Sequence, residues 1–195
     1  MSAYGNVRAG GIKAIKLADN DHLVDVVITG GNDEVLIATD DGQACRFQES
    51  DCRPTGRDTS GVIGMEIDPK AKVVSLIRLE AGVEGLTICE KGFGKRTPFD
   101  EYRLTRRGGK GVINIETSER NGQVVASIAV RPGDELMIMT RQGQAVRTKT
   151  DDIRTTGRAA QGVTIIRLDE GDTVTGVAQC PREEDAVAGE TKPEE

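Results

Sequence analysis

Apolar residues in this chain fall into short runs separated by turn residues, and the stretch from Gly111 to Thr150 shows the pattern most clearly. After Gly111 an alternating run carries Val112, Ile113 and Ile115. The turn Glu119-Arg120-Asn121-Gly122 leads to a β-branched run holding Val124, Val125, Ile128 and Val130. Pro132-Gly133-Asp134 then precedes LMIMT, and Gln142-Gly143 turns the chain into QAVRTKT. β-branched residues suit a pleated, half-buried surface, and turn signals recurring every roughly 8–12 residues predict antiparallel strands joined by tight turns. No segment sustains a helical period beyond two turns, so the chain reads as all-β.

The same order of elements recurs. Laid on itself, the chain aligns PTGRDTSGVIGMEI (54–67), LTRRGGKGVINIET (104–117) and TTGRAAQGVTIIRL (155–168), with a looser copy, VRAGGIKAIKL (7–17), ahead of them. Arg57, Arg107 and Arg158 fall in register, each four residues before Gly61, Gly111 and Gly162. Mid-repeat turns agree as well, at Gly42, Gly92 and Gly143, followed by Arg46, Arg96 and Arg147. The offsets are 50 and 51 residues each time. About four strands per unit, repeated, predict four-stranded antiparallel blades in a propeller-like array. The units run approximately over 1–54, 55–104, 105–154 and 155–180, followed by an acidic tail at 181–195 expected to be disordered.

Composition narrows the chemistry. The chain has 195 residues, enough to bury a substantial core, but only 3% aromatics and no Trp, so that core rests on Val, Ile and Leu. Four scattered cysteines (Cys45, Cys52, Cys89, Cys180) with no CxxC spacing and a single His22 argue against a metal site and for reduced thiols. No cofactor is expected. Met1–Gly11, MSAYGNVRAGG, has no apolar core of the signal-peptide kind, and no run approaches the roughly 18 apolar residues of a membrane helix, so the sequence predicts a cytoplasmic protein without membrane contact. Net charge is −6, yet the distribution is uneven: residues 182–195 carry six acids and two bases, whereas 91–110 carry seven bases against Asp100 and Glu101.

That basic stretch contains RLTRRGGKGVINI (103–115). It is not a P-loop: Gly109-Lys110 is followed by Gly111 and Gly94-Lys95 by Arg96, without the Ser or Thr that holds magnesium. Nor does His22, beside Asp21, supply a recognisable catalytic relay, and Asp40-Asp41 and Asp151-Asp152 read as turn formers. A binding loop remains. Gly108, Gly109 and Gly111 permit positive φ and close approach of backbone amides to an anion, while Arg106, Arg107 and Lys110 offer forks and a mobile charge to phosphate. With Phe99 and Tyr102 the only nearby aromatics past Phe93, a duplex backbone suits the segment better than stacked single-stranded bases. Three cations in register at 46, 96 and 147 would add a stripe along one rim.

The segment GFGKRTPFDEYRLTRRGGKGVINI and its flanking repeats resemble the C-terminal domain of the DNA gyrase A protein. That resemblance implies a six-bladed β-pinwheel that bends duplex DNA around a basic rim. The family's box, Gln-Arg-Arg-Gly-Gly-Lys-Gly, is matched here by Arg106, Arg107, Gly108, Gly109, Lys110 and Gly111, with Thr105 in place of the glutamine. The downstream VINIETSERNG is similar to one of the family's later repeats, so the loop reads either as the box itself or as a degenerate repeat copy of it. Three full repeats and part of a fourth stand where the family has six, and the cleavage domain with its DNA-attacking tyrosine lies outside the resemblance; neither Tyr4 nor Tyr102 takes that role. The resemblance therefore implies a fragment that binds, bends and wraps duplex DNA without strong sequence preference, together with the rest of a gyrase A2B2 complex, in support of negative supercoiling in the bacterial cytoplasm, at the nucleoid. It implies no catalysis by this segment alone. The expected phosphate contacts are Arg57, Lys95, Arg96, Arg103, Arg106, Arg107, Lys110, Arg147 and Arg158, with Gly108, Gly109 and Gly111 shaping the loop. Two other readings remain open: the corresponding C-terminal domain of topoisomerase IV, with fewer blades, and a propeller-like protein-interaction scaffold. Strand edges left open by an incomplete ring would favour self-association.

Overall fold

The computed structural model describes Val7 and residues 9–180; the acidic tail expected at 181–195 lies outside the described residues. Among the described residues, eleven strands form three antiparallel sheets. In chain order they are β1 (Glu34–Thr39), β2 (Gln43–Gln48), β3 (Val73–Arg78), β4 (Glu84–Cys89), β5 (Phe93–Pro98), β6 (Val112–Ile113), β7 (Val124–Val130), β8 (Glu135–Thr140), β9 (Ala145–Lys149), β10 (Val163–Thr164) and β11 (Val174–Gln179). The only helical elements among the described residues are single 3-10 turns at Glu49–Asp51, Phe99–Glu101 and Thr150–Asp152, each directly after a repeat's last long strand.

The sheets are ordered β3-β1-β2-β6, β10-β5-β4-β7 and β11-β8-β9. Here the structure departs from the expectation that each unit of about fifty residues folds on itself. Each sheet takes its central hairpin from one repeat, an outer long strand from the next, and, in the two four-stranded sheets, a two-residue strand from the repeat after that. Thus β1 and β2 are joined by β3 and then by β6, whose Val112 and Ile113 face Ala44 and Gln43. The sheets are interleaved, and each long crossing stitches neighbours together.

Glycine makes the crossing possible. Gly111 (φ 77°) and Gly162 (φ 81°) precede the short strands, and a Cβ there would stand 2.4 Å from the Ala44 carbonyl oxygen and 2.6 Å from that of Gly94. The acceptor turn is equally tight. The Gly42 carbonyl takes the amides of Asn114 and Ile115, and the Gly92 carbonyl those of Ile165 and Ile166. Because the backbone leaves the ladder to make these bonds, the run expected over Val112–Ile115 is a strand only as far as Ile113, while Ile115 turns inward and is buried.

Apolar packing follows the interleaving. Leu86, Ile88, Val130, Leu136, Ile138, Ile153, Ile166 and Val174 form one cluster across the second and third sheets. Leu36, Ala38, Ala44 and Ile77 of the first sheet pack with Phe99 and Tyr102, which follow β5. Each such large aliphatic side chain withdrawn from water contributes about 1.5–3 kcal/mol. Asn114, fully buried just past β6, receives the Tyr102 hydroxyl on Oδ1 at 2.5 Å and donates to Thr87 Oγ1 at 3.1 Å, which fixes the crossing segment with polar as well as apolar contacts.

The first repeat lacks one expected element. Residues 23–28 (LVDVVI) occupy the register of β3, β7 and β11 but form no strand, and Val26 and Ile28 are exposed. In the other repeats this strand pairs with the hairpin of the preceding repeat, as β3 does with β1 and β7 with β4. Among the described residues no preceding hairpin exists for 23–28 to join.

Candidate nucleic-acid interface

Tracing each expected cation to its partners divides them into two groups. Arg46, Arg96 and Arg147 do fall in register, but not as a free stripe. Each is ion-paired across its own hairpin, to Glu34, Glu84 and Glu135 respectively. Arg46 also donates to the carbonyls of Phe99 (2.7 Å) and Tyr102 (3.0 Å), and Arg96 to that of Ile153 (2.8 Å), so both guanidinium groups tie one sheet to the linker leaving the next. Their side chains are only 17% and 14% exposed; that of Arg147 is 64% exposed.

The arginines before the repeat glycines act similarly. Arg107 donates through Nε to the Asp51 carbonyl (2.8 Å) and through Nη1 to the Ile63 carbonyl (3.0 Å). Arg158 donates to the Ile113 carbonyl at 2.8 Å, and Arg57 reaches the Lys13 carbonyl at 3.4 Å. Ile113, Ile63 and Lys13 each lie two residues beyond a repeat glycine. One arginine per repeat thus clamps the short-strand segment of the repeat before it, and its recurrence follows from folding.

Lys95 corrects the expectation outright. Its side chain is fully buried, with Nζ donating to Thr97 Oγ1 (2.8 Å), Gly157 O (2.9 Å) and Arg158 O (2.8 Å). Burial, reinforced by the charge of Arg158, lowers its pKa to about 8. A lysine held in this way neutralises no external phosphate.

The arginine-glycine loop is split by the same criterion. The Gly108 amide donates to the Gly64 carbonyl at 2.6 Å, and the Gly109 carbonyl accepts from Glu66 at 2.9 Å, so the loop is anchored along residues 64–66 and the Gly108 amide is taken up by that contact. Arg106, Lys110 and the nearby Arg103 are exposed, and among the described residues none forms an ion pair or side-chain hydrogen bond. Lys110 borders a hollow also lined by Asp41, Glu66 and Asp68.

Arg103 has register partners that a search for conspicuous basic runs misses: Arg53 and Arg154, at offsets of 50 and 51. All three immediately follow the residue that closes a 3-10 turn, which is buried at Tyr102 and Ile153 and half-buried at Cys52. The alternation turns the arginine outward. All three are exposed, and no side-chain partner occupies them among the described residues. These linkers also bridge the sheets: Leu104 lies parallel to Arg46, and Thr155 to Arg96. A cation therefore stands at the equivalent place in each sheet-to-sheet linker, next to Arg106 and Lys110 in the middle one. Such a row suits the regularly spaced charges of a nucleic-acid backbone. No cluster of His, Cys, Asp and Glu suited to a metal occurs among the described residues, and no described helix is long and apolar enough to cross a membrane.

Comparison with known proteins gives the architecture its lineage. The family described as "DNA gyrase C-terminal domain, beta-propeller" matches residues 1–29, 33–80, 86–131 and 134–181. The DNA gyrase A protein of Haloquadratum walsbyi is 42% identical over 95% of this chain, and that of Escherichia coli K12 is 41% identical over 95%; the chain covers 22% of each relative. It spans about a fifth to a quarter of the length of the curated relatives it matches. A solved gyrase A C-terminal domain superposes with a TM-score of 0.80 at 28% identity, over 87% of this chain and 58% of the other. The C-terminal domain of a DNA topoisomerase IV superposes with a TM-score of 0.88 at 22% identity, over 95% and 59%, a likeness of fold. The chain belongs to the family of DNA gyrase C-terminal β-propeller domains.

Proposed function

We propose that this chain binds duplex DNA along the row of linker arginines, Arg53, Arg103 and Arg154, with Arg106 and Lys110 widening the row at its centre. The observation that carries this reading is the exposure of these cations in register, without partners, in a chain where Arg46, Arg96, Arg107 and Arg158 are held by backbone carbonyls. Recognition of this kind is electrostatic. Guanidinium and ammonium groups displace condensed counterions from phosphates, read no base edge, and impose little sequence preference. Contacts repeated on successive sheets would favour DNA that follows the array, so bending and wrapping accompany binding, and the cost of bending is offset by the additional contacts. Within a complete gyrase, such wrapping would present DNA for strand passage and support negative supercoiling; the cleavage and ATP chemistry would belong to other parts of an A2B2 complex acting on the nucleoid in the cytoplasm.

The test is a gel-shift titration against a short duplex and against one several helical turns longer. Affinity that rises with duplex length beyond the statistical gain in sites, falls as salt is raised, and drops in the Arg103→Gln, Arg106→Gln, Lys110→Gln triple variant supports the reading. Equal affinity of the triple variant and the parent for the long duplex would contradict it.

A further inference from the structure

Four buried polar side chains meet inside the protein beneath the arginine-glycine loop. Tyr102 and Asn114 are 2% and 0% exposed, and the Tyr102 hydroxyl donates to Asn114 Oδ1 at 2.5 Å. Asn114 Nδ2 donates to Thr87 Oγ1 at 3.1 Å, and the Thr87 hydroxyl meets that of Ser127 at 3.0 Å. Thr87 and Ser127 are buried as well. Burial raises the pKa of the Tyr102 phenol to about 12, so at neutral pH it is a donor. Buried polar groups cost free energy unless each is satisfied, and apolar residues of similar volume commonly serve stability as well or better.

The repeats themselves show that the fold forms without this cluster. In register, Tyr102 corresponds to Cys52 and Ile153, Asn114 to Gly64 and Ile165, and Thr87 to Ile37 and Ile138, none of which carries a hydroxyl or an amide side chain. The crossing after Gly162 docks on β5 all the same, and Ile165 packs against the apolar cluster that holds Ile138. The loops between these positions differ too. Arg106 and Lys110 correspond to Gly56 and Ser60 in one repeat and to Gly157 and Gln161 in the other. The polar cluster and the additional free cations therefore occur in the same repeat.

The place of the bond in the chain says what the cluster does. Tyr102 immediately precedes Arg103 and Asn114 immediately follows Ile113, so one side-chain hydrogen bond closes the base of segment 103–113. At its far end the segment is held by the Gly108 amide on the Gly64 carbonyl and by Arg107 on the carbonyls of Asp51 and Ile63. Each arm between these anchors carries exposed cations, Arg103 and Arg106 on the outgoing arm and Lys110 on the returning one. Fixing both arms beforehand removes chain freedom that would otherwise be lost when phosphates are bound. We infer that Tyr102 and Asn114 are positioning residues for DNA binding, a buried clasp that holds the cations of segment 103–113 in the arrangement that meets the phosphate backbone. The inference rests on the duplex-binding reading above. Neither side chain reaches the surface, so both act through Arg103, Arg106 and Lys110.

Two variants of the 195-residue chain test it. Tyr102→Phe keeps the ring and removes the hydroxyl. The double variant Tyr102→Phe, Asn114→Ile replaces both partners, with isoleucine as at position 165, and so strands no buried amide. Duplex affinity is measured for each where chemical denaturation shows the chain folded, both in the parent and in the Arg103→Gln, Arg106→Gln, Lys110→Gln background. Each variant should weaken binding by about three- to tenfold in the parent, the size expected for ordering one or two long side chains on binding, and should add nothing in the triple background. A loss of the same size in both backgrounds, or unchanged affinity of either variant in the parent, would mean that the clasp serves folding alone; that result overturns the inference and leaves the duplex-binding reading intact. A triple variant that binds as tightly as the parent removes that reading and the inference with it.

Discussion

At the scale of single residues, basic side chains in this protein fall into groups that composition does not distinguish. Arg107 and Arg106 are adjacent, yet one satisfies two backbone carbonyls and the other faces water. Arg107→Ala should therefore cost about 1–3 kcal/mol of stability, the usual consequence of stranding hydrogen-bonded groups, whereas Arg106→Ala should change stability by less than about 0.5 kcal/mol and weaken DNA binding. Chemical denaturation and a binding isotherm on each variant separate the two effects. Lys95 gives a pH signature. Its folded pKa of about 8 lies below its ordinary 10.5. Below pH 8 both states carry the proton; between 8 and 10.5 only the unfolded chain does, so the stability of the parent relative to Lys95→Met should rise with pH across that window and stay flat below it. A relative stability that is flat or falls there as pH is raised would contradict the assignment, and DNA affinity should be insensitive to this substitution at neutral pH. Lys95 also shows what the sequence held but did not display. Its burial was legible only through its register partners, Cys45 and Val146, which are apolar; read within the run GKRTP, it looks like one more surface charge.

At the scale of elements, the strand order and the turns were legible because glycine and proline punctuate an alternating pattern. β7 and β8 lie where the Asn121-Gly122 and Pro132-Gly133 turns put them. The sheet membership was not. The partner of β6 lies about 69 residues earlier, beyond the reach of any local pattern, and its short length leaves no periodicity to read. The glycines that serve it do carry a sharp prediction. Gly111→Ala must place a methyl group 2.4 Å from the Ala44 carbonyl at a positive φ and should cost about 3 kcal/mol or more, with loss of amide protection at Asn114 and Ile115. Gly109→Ala, whose new methyl would come no nearer than 3.8 Å to any atom, should be neutral within about 0.5 kcal/mol. Hydrogen exchange on the pair would reveal whether the box-like loop is glycine-rich for folding at 111 and not at 109.

At the scale of the whole molecule, a net charge of −6 coexists with a DNA-binding reading because folding sorts charge by position. Glu34, Glu84 and Glu135 neutralise the hairpin arginines, which leaves the linker arginines to set the local potential. Sequence repeats made Arg46, Arg96 and Arg147 the conspicuous stripe; the structure turns attention to Arg53, Arg103 and Arg154, equally periodic but hidden in segments that look like loops. The most direct test of that assignment is the salt dependence of duplex binding, measured on the parent chain and on the Arg53→Gln, Arg103→Gln, Arg154→Gln variant. With three phosphate contacts removed, the slope of log K against log salt should become shallower by roughly 2.7, at about 0.9 per contact, with folding stability unchanged. A variant that keeps the parent's slope and affinity would mean that DNA, if bound, is held elsewhere.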